Sequence, residues 1–449
     1  MRAFKTYEDA VAFLDGHIDL GVKPGLERIR ELFEMLANPH EAYPIIHITG
    51  SNGKTSTARI ASSLLAAHGL TVGTFTSPHL ERVEERLSIN GIQATPEEFA
   101  QAVADVEPFV DLLEQRIGER PTYFELTAAV AFAWFASHAV DVAVVEVGLG
   151  GRLDATNVAD GRVAVVTGVV LEHVSYLGDS VAKIAREKLA IAKPGSVLIA
   201  GPMSEDADRE ALDHAAALSI DLRRYGHDYR VGEAERAVGG WLCEVEGIYA
   251  TYPDLYLPLH GHHQTLNLAV AVAAVEEFYG RALSAEAAIE GAGAASSPGR
   301  LEVLGHRPLV VIDGAHNEEG FGVLADALMD EFLPLEWTVV MGVLGDKDLG
   351  AMLGHLKGSV SRFYATAPHS DRALPAREVA TAARRVFGPE VEVMEVDGVA
   401  AAVTAAKAAT PAEGGLLVTG SLYVVGESRP ILRGTGAAID QLGAFRDLS

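Results

Sequence analysis

At 449 residues, with 49% hydrophobic and 22% charged residues, the chain carries apolar material for more than one core, and its length points to two or three domains. Its 36 Lys and Arg stand against 62 Asp and Glu, giving a formal charge of −26, a field that repels nucleic acid and anionic membrane and argues against either as a partner. The single cysteine, Cys243, excludes an intrachain disulfide and a cysteine-built metal site, so metal ligands must be oxygens or histidines.

No run approaches the roughly 20 apolar residues of a membrane span. The start, MRAFKTYEDAVAFLDG, has charges where a signal peptide needs an apolar stretch, so a cytoplasmic location is expected. Residues 1–42 carry a helical pattern, with Leu26, Ile29, Leu32, Phe33 and Leu36 as its apolar stripe, a helical cover for the domain that follows. Next comes PIIHITGSNGKTSTARI at 44–60. Ile45, Ile46 and Ile48 predict a buried parallel strand, and Ala58, Ile60, Leu64 and Leu65 recur at helical spacing. Between them, Gly50, Ser51, Asn52, Gly53, Lys54 and Thr55 form a short glycine-bracketed loop. Such a loop aims successive N–H groups at one anion while the helix adds its N-terminal dipole, and Lys54 and Thr55 offer a charge for phosphates and a hydroxyl for Mg²⁺. The residue five places before Gly53 is Ile48, where the common P-loop wants glycine, so the loop is shortened. A chance tight turn before a helix is the alternative; the preceding strand and following helix favour a nucleotide triphosphate site.

Residues 70–77 predict a second strand, stopped by Pro78 so that the Ser77 hydroxyl lies at its carboxyl end, where ligands bind in open α/β sheets. Helices are expected over 97–116 and 125–138. In the strand at 141–147 Glu146 interrupts an apolar run, which is costly unless the carboxylate is paired or metal-bound. It is either an ion-pair partner of a Lys or Arg or, as the following Gly148-Leu149-Gly150-Gly151 favours, a Walker-B acid. A strand at 162–170 leads to His173, which reads as a structural histidine or, beside Ser77 and Glu146, a ligand. Lys188, in a helix over 180–192, reads as a solvated helix lysine paired with an acid or as a site residue. Shorter strands, including 241–249, fill 196–256, and an apolar helix spans 263–279. AGAASSPGR at 292–300 marks the domain boundary. Beyond it, strands at 309–312, 338–343, 363–366, 391–396 and 416–419 alternate with helices. The expected fold is α/β: a P-loop-type doubly wound central ATPase domain, residues 1–297 with the helical cover, followed by a smaller Rossmann-like α/β domain, residues 298–449.

The motifs TGSNGKTS, TSPHL with ERLSING, EVGLGGRLDATN, HQTLN, SPGRLE, IDGAHNEEG and TGSLYVVGE occur in order over most of the chain. The sequence resembles the folylpolyglutamate synthase/dihydrofolate synthase family of the Mur ligase superfamily. The resemblance implies an ATP-dependent ligase that joins L-glutamate to a folate or to dihydropteroate, a monomer whose ATP lies between the domains. It implies that Gly50 to Ser56 wrap the phosphates, that Asn267 lies near the adenine, and that Arg300 and Asp313 reach the nucleotide. Ser77 and Glu146 match ligands of a first Mg²⁺, His173 a ligand of a second, and Lys188 a lysine carbamylated by CO₂; His316 and Lys188 would position the amine or the metal. Glu172 stands where the family usually has aspartate and Leu189 where it has alanine. These departures motivate a second reading, a paralogue joining an amino acid to another carboxylic acid, and a third is a nucleotide-binding homologue without ligation.

Overall fold

The β-branched runs of the first two thirds of the chain assemble one sheet. In the computed structural model, which describes residues 6–21, 23–332, 335–345 and 347–434, the first eight strands are β1 (Ile45–Thr49), β2 (Val72–Phe75), β3 (Leu87–Ile89), β4 (Ile92–Gln93), β5 (Val142–Glu146), β6 (Val163–Val166), β7 (Val197–Ala200) and β8 (Asp221–Arg224). They order as β4-β3-β2-β5-β1-β6-β7-β8. Only the β2–β3 and β3–β4 pairings are antiparallel; the others are parallel. Every residue of β1 and β5 is buried because helices cover both faces, which is why these strands read as unbroken apolar runs. Ile46, Ile48, Val144 and Val163 pack beneath the Lys54–Ala67 and His263–Tyr279 helices. Ile45, Ala143 and Val145 pack on the opposite face with the Glu27–Met35, Pro96–Ile117 and Tyr123–Ser137 helices, the first being the expected cover.

Strands β9 (Arg230–Ala237), β10 (Gly240–Glu246) and β11 (Thr251–Leu257) form a small antiparallel sheet laid against the His263–Tyr279 helix. Beyond it β12 (Glu302–His306), β13 (Leu309–Ile312), β14 (Trp337–Met341), β15 (Val360–Ala365), β16 (Glu392–Glu395) and β17 (Gly415–Thr419) order as β12-β13-β17-β14-β15-β16. Only β12 runs antiparallel to its neighbour. Helices Glu318–Glu331, Leu349–His355 and Ala376–Phe387 cover one face and Val399–Ala409 and Leu422–Arg433 the other, giving the second doubly wound layer.

Three expectations change. The stretch read as short strands contains a 14-residue helix, Glu205–Leu218, whose buried stripe is Ala207, Ala211 and Ala215; alanines gave no apolar signal. β6 stops at Val166 because the chain then leaves the sheet to brace the phosphate loop, and the helix read over 180–192 ends at Leu189. Among the described residues no helix is long and apolar enough to cross a membrane.

Candidate functional site

The carboxyl ends of β1, β5, β2 and β6 and the facing edge of the second sheet enclose a cleft of about 670 Å³. Ser51, Asn52, Gly53, Lys54, Thr55 and Ser56 line it from the first sheet, and Arg300, Asp313, His316, Glu319, Lys347 and Arg372 from the second. The loop is held from behind. Ser51 N–H donates to Gly168 O (2.9 Å), Val170 N–H to Ser51 Oγ (3.0 Å), and Thr167 Oγ1 to Asn52 O (2.6 Å). Gly50 and Gly53 have φ of +152° and +82°, conformations that L side chains rarely adopt. A Cβ at Gly50 would strike Thr167 Oγ1 and one at Gly53 would strike Asn267 Oδ1. Thus Asn267, on the His263–Tyr279 helix, buttresses the loop from within the cleft wall, its amide donating to Gln264 Oε1 (2.9 Å). Lys54 Nζ folds back onto Gly50 O (2.7 Å) and Ser51 O (3.1 Å), capping the loop with its charge.

Glu146 ends β5 at the cleft floor, fully buried. One carboxylate oxygen accepts from Thr55 Oγ1 (2.8 Å) and the other from Ser77 N–H (3.1 Å). Among the described residues it has no ion-pair partner, which removes the ion-pair alternative for this group. Burial pushes its pKa up, opposed by Lys54 and the Thr55 hydrogen bond. An anion so placed, with two hydroxyl-bearing residues on it, fits a hard divalent cation. Among the described residues no cluster of three His, Cys, Asp or Glu side chains forms a metal site, as expected where hydroxyls, and oxygens of a bound substrate, complete the shell.

On the other flank of the loop Lys188 is 2% exposed and lies behind the cleft wall. Its Nζ contacts Glu172 Oε1 (3.0 Å) and donates to Gly50 O (2.9 Å). Burial, and then the neighbouring Lys54 charge, lower its pKa to about 8. Burial raises Glu172, but Lys188 and Lys54 outweigh it and bring its pKa to about 2. Lys188 is therefore not a solvated helix lysine. His173, with φ +45° at the start of a one-turn helix, lines the cleft beside Glu172, its pKa lowered by burial.

The second wall starts at the linker. Ser56 and Ser297 share a hydroxyl hydrogen bond (2.9 Å), tying the linker to the phosphate helix. Past it, Leu301 N–H and Ala315 N–H donate to the two oxygens of Asp313 (both 2.8 Å), and Gly314 N–H to Gly299 O (2.9 Å). Burial raises the Asp313 pKa, with Arg300 opposing. His316 donates Nδ1–H to Gly314 O (3.1 Å) and burial lowers its pKa to about 4, so near pH 7 it is a neutral ring whose Nε2 accepts. Sequence reasoning did not single out several lining residues, among them Lys347, Arg372, Glu319 and Arg86. Glu319, whose carboxylate accepts from Asn52 Nδ2, lies in the IDGAHNEEG motif and in the acidic first turn of a helix, neither of which gave it a role. Arg86 belongs to the ERLSING motif, which gave it no role of its own, and it is 1% exposed.

Two family models match the chain: the Mur ligase middle domain over residues 48–275 and the Mur ligase glutamate ligase domain over 299–422. The fold, with its phosphate loop facing a second α/β layer, is thus that of a Mur ligase. The chain is 37% identical to the dihydrofolate synthase/folylpolyglutamate synthase of Mycobacterium tuberculosis, over 91% of this chain and 90% of the relative. It is 34% identical to the Bacillus subtilis protein of the same name, over 96% and 100%. A solved structure of Mycobacterium tuberculosis folylpolyglutamate synthase complexed with ADP matches with a TM-score of 0.89 at 36% identity, covering 95% of this chain and 99% of that one. The chain belongs to the dihydrofolate synthase/folylpolyglutamate synthase family.

Proposed function

We propose that this protein is an ATP-dependent ligase that adds L-glutamate to a folate, and to dihydropteroate where it also acts as a dihydrofolate synthase. One observation carries the site assignment: a buried, unpaired carboxylate, Glu146, at the foot of a phosphate loop in a cleft between two α/β layers. A carboxylate does not acylate an amine at neutral pH. The γ-phosphoryl group of ATP passes to the acceptor carboxylate, the glutamate amine attacks the acyl carbon, and phosphate leaves with the carbonyl re-formed. The N–H groups of Gly50 to Ser56 and Lys54 hold the phosphates; Glu146, Thr55 and Ser77 hold one Mg²⁺, and His173 stands toward a second. Mg²⁺ supplies charge neutralisation at the transferring group. Neutral His316 positions the incoming amine through its accepting Nε2. Arg300 and Asp313 order the nucleotide from the linker side, and closure of the two units, 1–297 and 298–449, excludes water from the acyl phosphate.

Lys188 is read here as carbamylated in the working enzyme. The neutral amine adds to CO₂ and loses a proton, and its pKa of about 8 makes that form accessible. The carbamate would face Glu172 as a second anion, so this flank fits a cation only after the modification. Cytoplasmic residence, a monomer and no nucleic-acid partner complete the reading, the last supported by the −26 charge; light scattering tests the monomer. The deciding assay is ADP release with Mg-ATP and either dihydropteroate or a reduced folate, with and without L-glutamate. Glutamate-dependent turnover with either acceptor is expected. Silence with both, in a protein that binds ATP, favours the paralogue acting on another acid.

A further inference from the structure

Arg86 is the one fully buried arginine whose two terminal nitrogens, Nη1 and Nη2, both lack a hydrogen-bond partner among the described residues. The rest of the guanidinium is fixed. Its Nε donates to His79 Nδ1 (3.0 Å) and its face lies over the Tyr123 ring, 5.5 Å from the centroid. The nearest acids, Glu85 and Glu146, attract it through space without hydrogen-bonding to its fork, their oxygens being held by other donors. Glu85 accepts from the N–H groups of Leu80 (2.8 Å), Glu81 (3.0 Å) and Arg82 (2.9 Å), and Glu146 from Thr55 and Ser77. A buried fork of unsatisfied donors is expensive unless an anion arrives.

Its place in the sheet says which anion. Thr76 N–H donates to Arg86 O (3.1 Å), so Arg86 stands at the carboxyl edge of β2, on the β3 side. Across that edge the order is Arg86, Ser77 of β2, Glu146 of β5, then the phosphate loop of β1. At about 4.8 Å per strand, β3 lies roughly 14 Å from the strand that delivers the loop. The loop's own N–H groups serve the nucleotide, and Glu146 stands between. The oxyanion on the far side of Glu146 is the acceptor's.

We infer that Arg86 is the binding residue for the acceptor's carboxylate, its Nη1 and Nη2 receiving the oxygens of the acid that is activated and keeping it in line with the γ-phosphate. The inference rests on the ligase reading above and adds a residue to it.

The test is steady-state kinetics of Arg86→Gln and Arg86→Lys with the acceptor, ATP and glutamate varied in turn. Arg86→Gln should raise the acceptor KM by about 10- to 100-fold, the loss of a charge-assisted pair. The KM values for ATP and glutamate should stay within about twofold, and Arg86→Lys should recover part of the loss. An unchanged acceptor KM, or a rise confined to ATP or glutamate, overturns the inference while leaving the folate reading intact. Silence of the unaltered protein with both acceptors overturns the folate reading and the inference with it. Should Arg86→Gln show no cooperative thermal transition, a crystal structure of the unaltered chain with acceptor and a non-hydrolysable ATP analogue decides. A carboxylate oxygen within about 3.2 Å of Arg86 Nη supports the inference, and one placed elsewhere ends it.

Discussion

The phosphate loop has a glutamate on each flank, and the two are in opposite electrostatic states. Glu146, on the β5 side, is fully buried with only a hydroxyl and a backbone N–H on it, and burial pushes its pKa up. Glu172, on the β6 side, contacts Lys188 at 3.0 Å and is pulled to about 2 despite its burial. The first is a buried carboxylate with no ion-pair partner among the described residues; the second is already paired. One flank therefore offers a cation a buried carboxylate without an ion-pair partner as it stands. The other does so only if the lysine changes sign.

The largest expected effect breaks the first flank. Glu146→Gln, or Lys54→Ala on the loop beside it, should lower kcat by about 1,000-fold or more with the far-UV CD spectrum unchanged; near-normal turnover in either would remove the contrast between the flanks. On the second flank Lys188→Ala should cost about 100-fold in kcat and, by leaving Glu172 unpaired, about 3 kcal/mol of stability by urea unfolding. If Lys188 works as a carbamate, bicarbonate added to CO₂-stripped buffer should raise wild-type activity several-fold and leave Lys188→Ala unmoved. Equal rates in the unaltered protein would return this flank to a simple ion pair.

A smaller effect tests a buried titratable group that belongs to neither flank. His47 on β1 is 0% exposed, with Nε2 on Thr156 Oγ1 (2.9 Å), and burial lowers its pKa from 6.5 to about 3. Between those values the unfolded chain binds the extra proton, so stability falls as pH falls through that window, by at most about 1.4 kcal/mol per unit. His47→Gln should flatten that part of the stability profile, measured by urea midpoints; an unchanged slope would assign the acid sensitivity to other groups. The smallest effect is on the loop's buttress: Asn267→Ala should raise the ATP KM by about 10-fold or less, a loss of about 1 kcal/mol, and a glutamate KM that moved instead would detach Asn267 from the nucleotide side.

Much of this was legible because the signals are local. β1 and its loop announce themselves in Ile45, Ile46, Ile48 and the Gly50–Gly53 spacing, and Glu146 stands out as an acid in an apolar strand. The His263–Tyr279 helix matches its sequence bounds because its composition is apolar throughout. What stayed hidden depends on partners distant in the chain. The Glu205–Leu218 helix buries only alanines. The Glu172–Lys188 pair and the burial of Arg86 arise only when β6, β3 and their loops meet at one edge, and nothing in a run such as ERVEER shows that Glu84 and Arg86 turn inward while Arg82 stays outside.

The ties of the linker divide sharply along it. Ser297 is bonded to Ser56 of the phosphate helix, whereas Gly299 and Leu301 are bonded to Gly314 and Asp313 of the second layer, so the change of allegiance falls at Pro298. Were one layer to turn against the other, the backbone at Pro298 is where the turn would be taken up. Arg300 lies two residues past that point, whereas Lys347 and Arg372 line the cleft from loops much further along the second layer. Under such a turn a ligand's contacts near Pro298 would stand throughout, whereas those with the far wall would be made and lost with it.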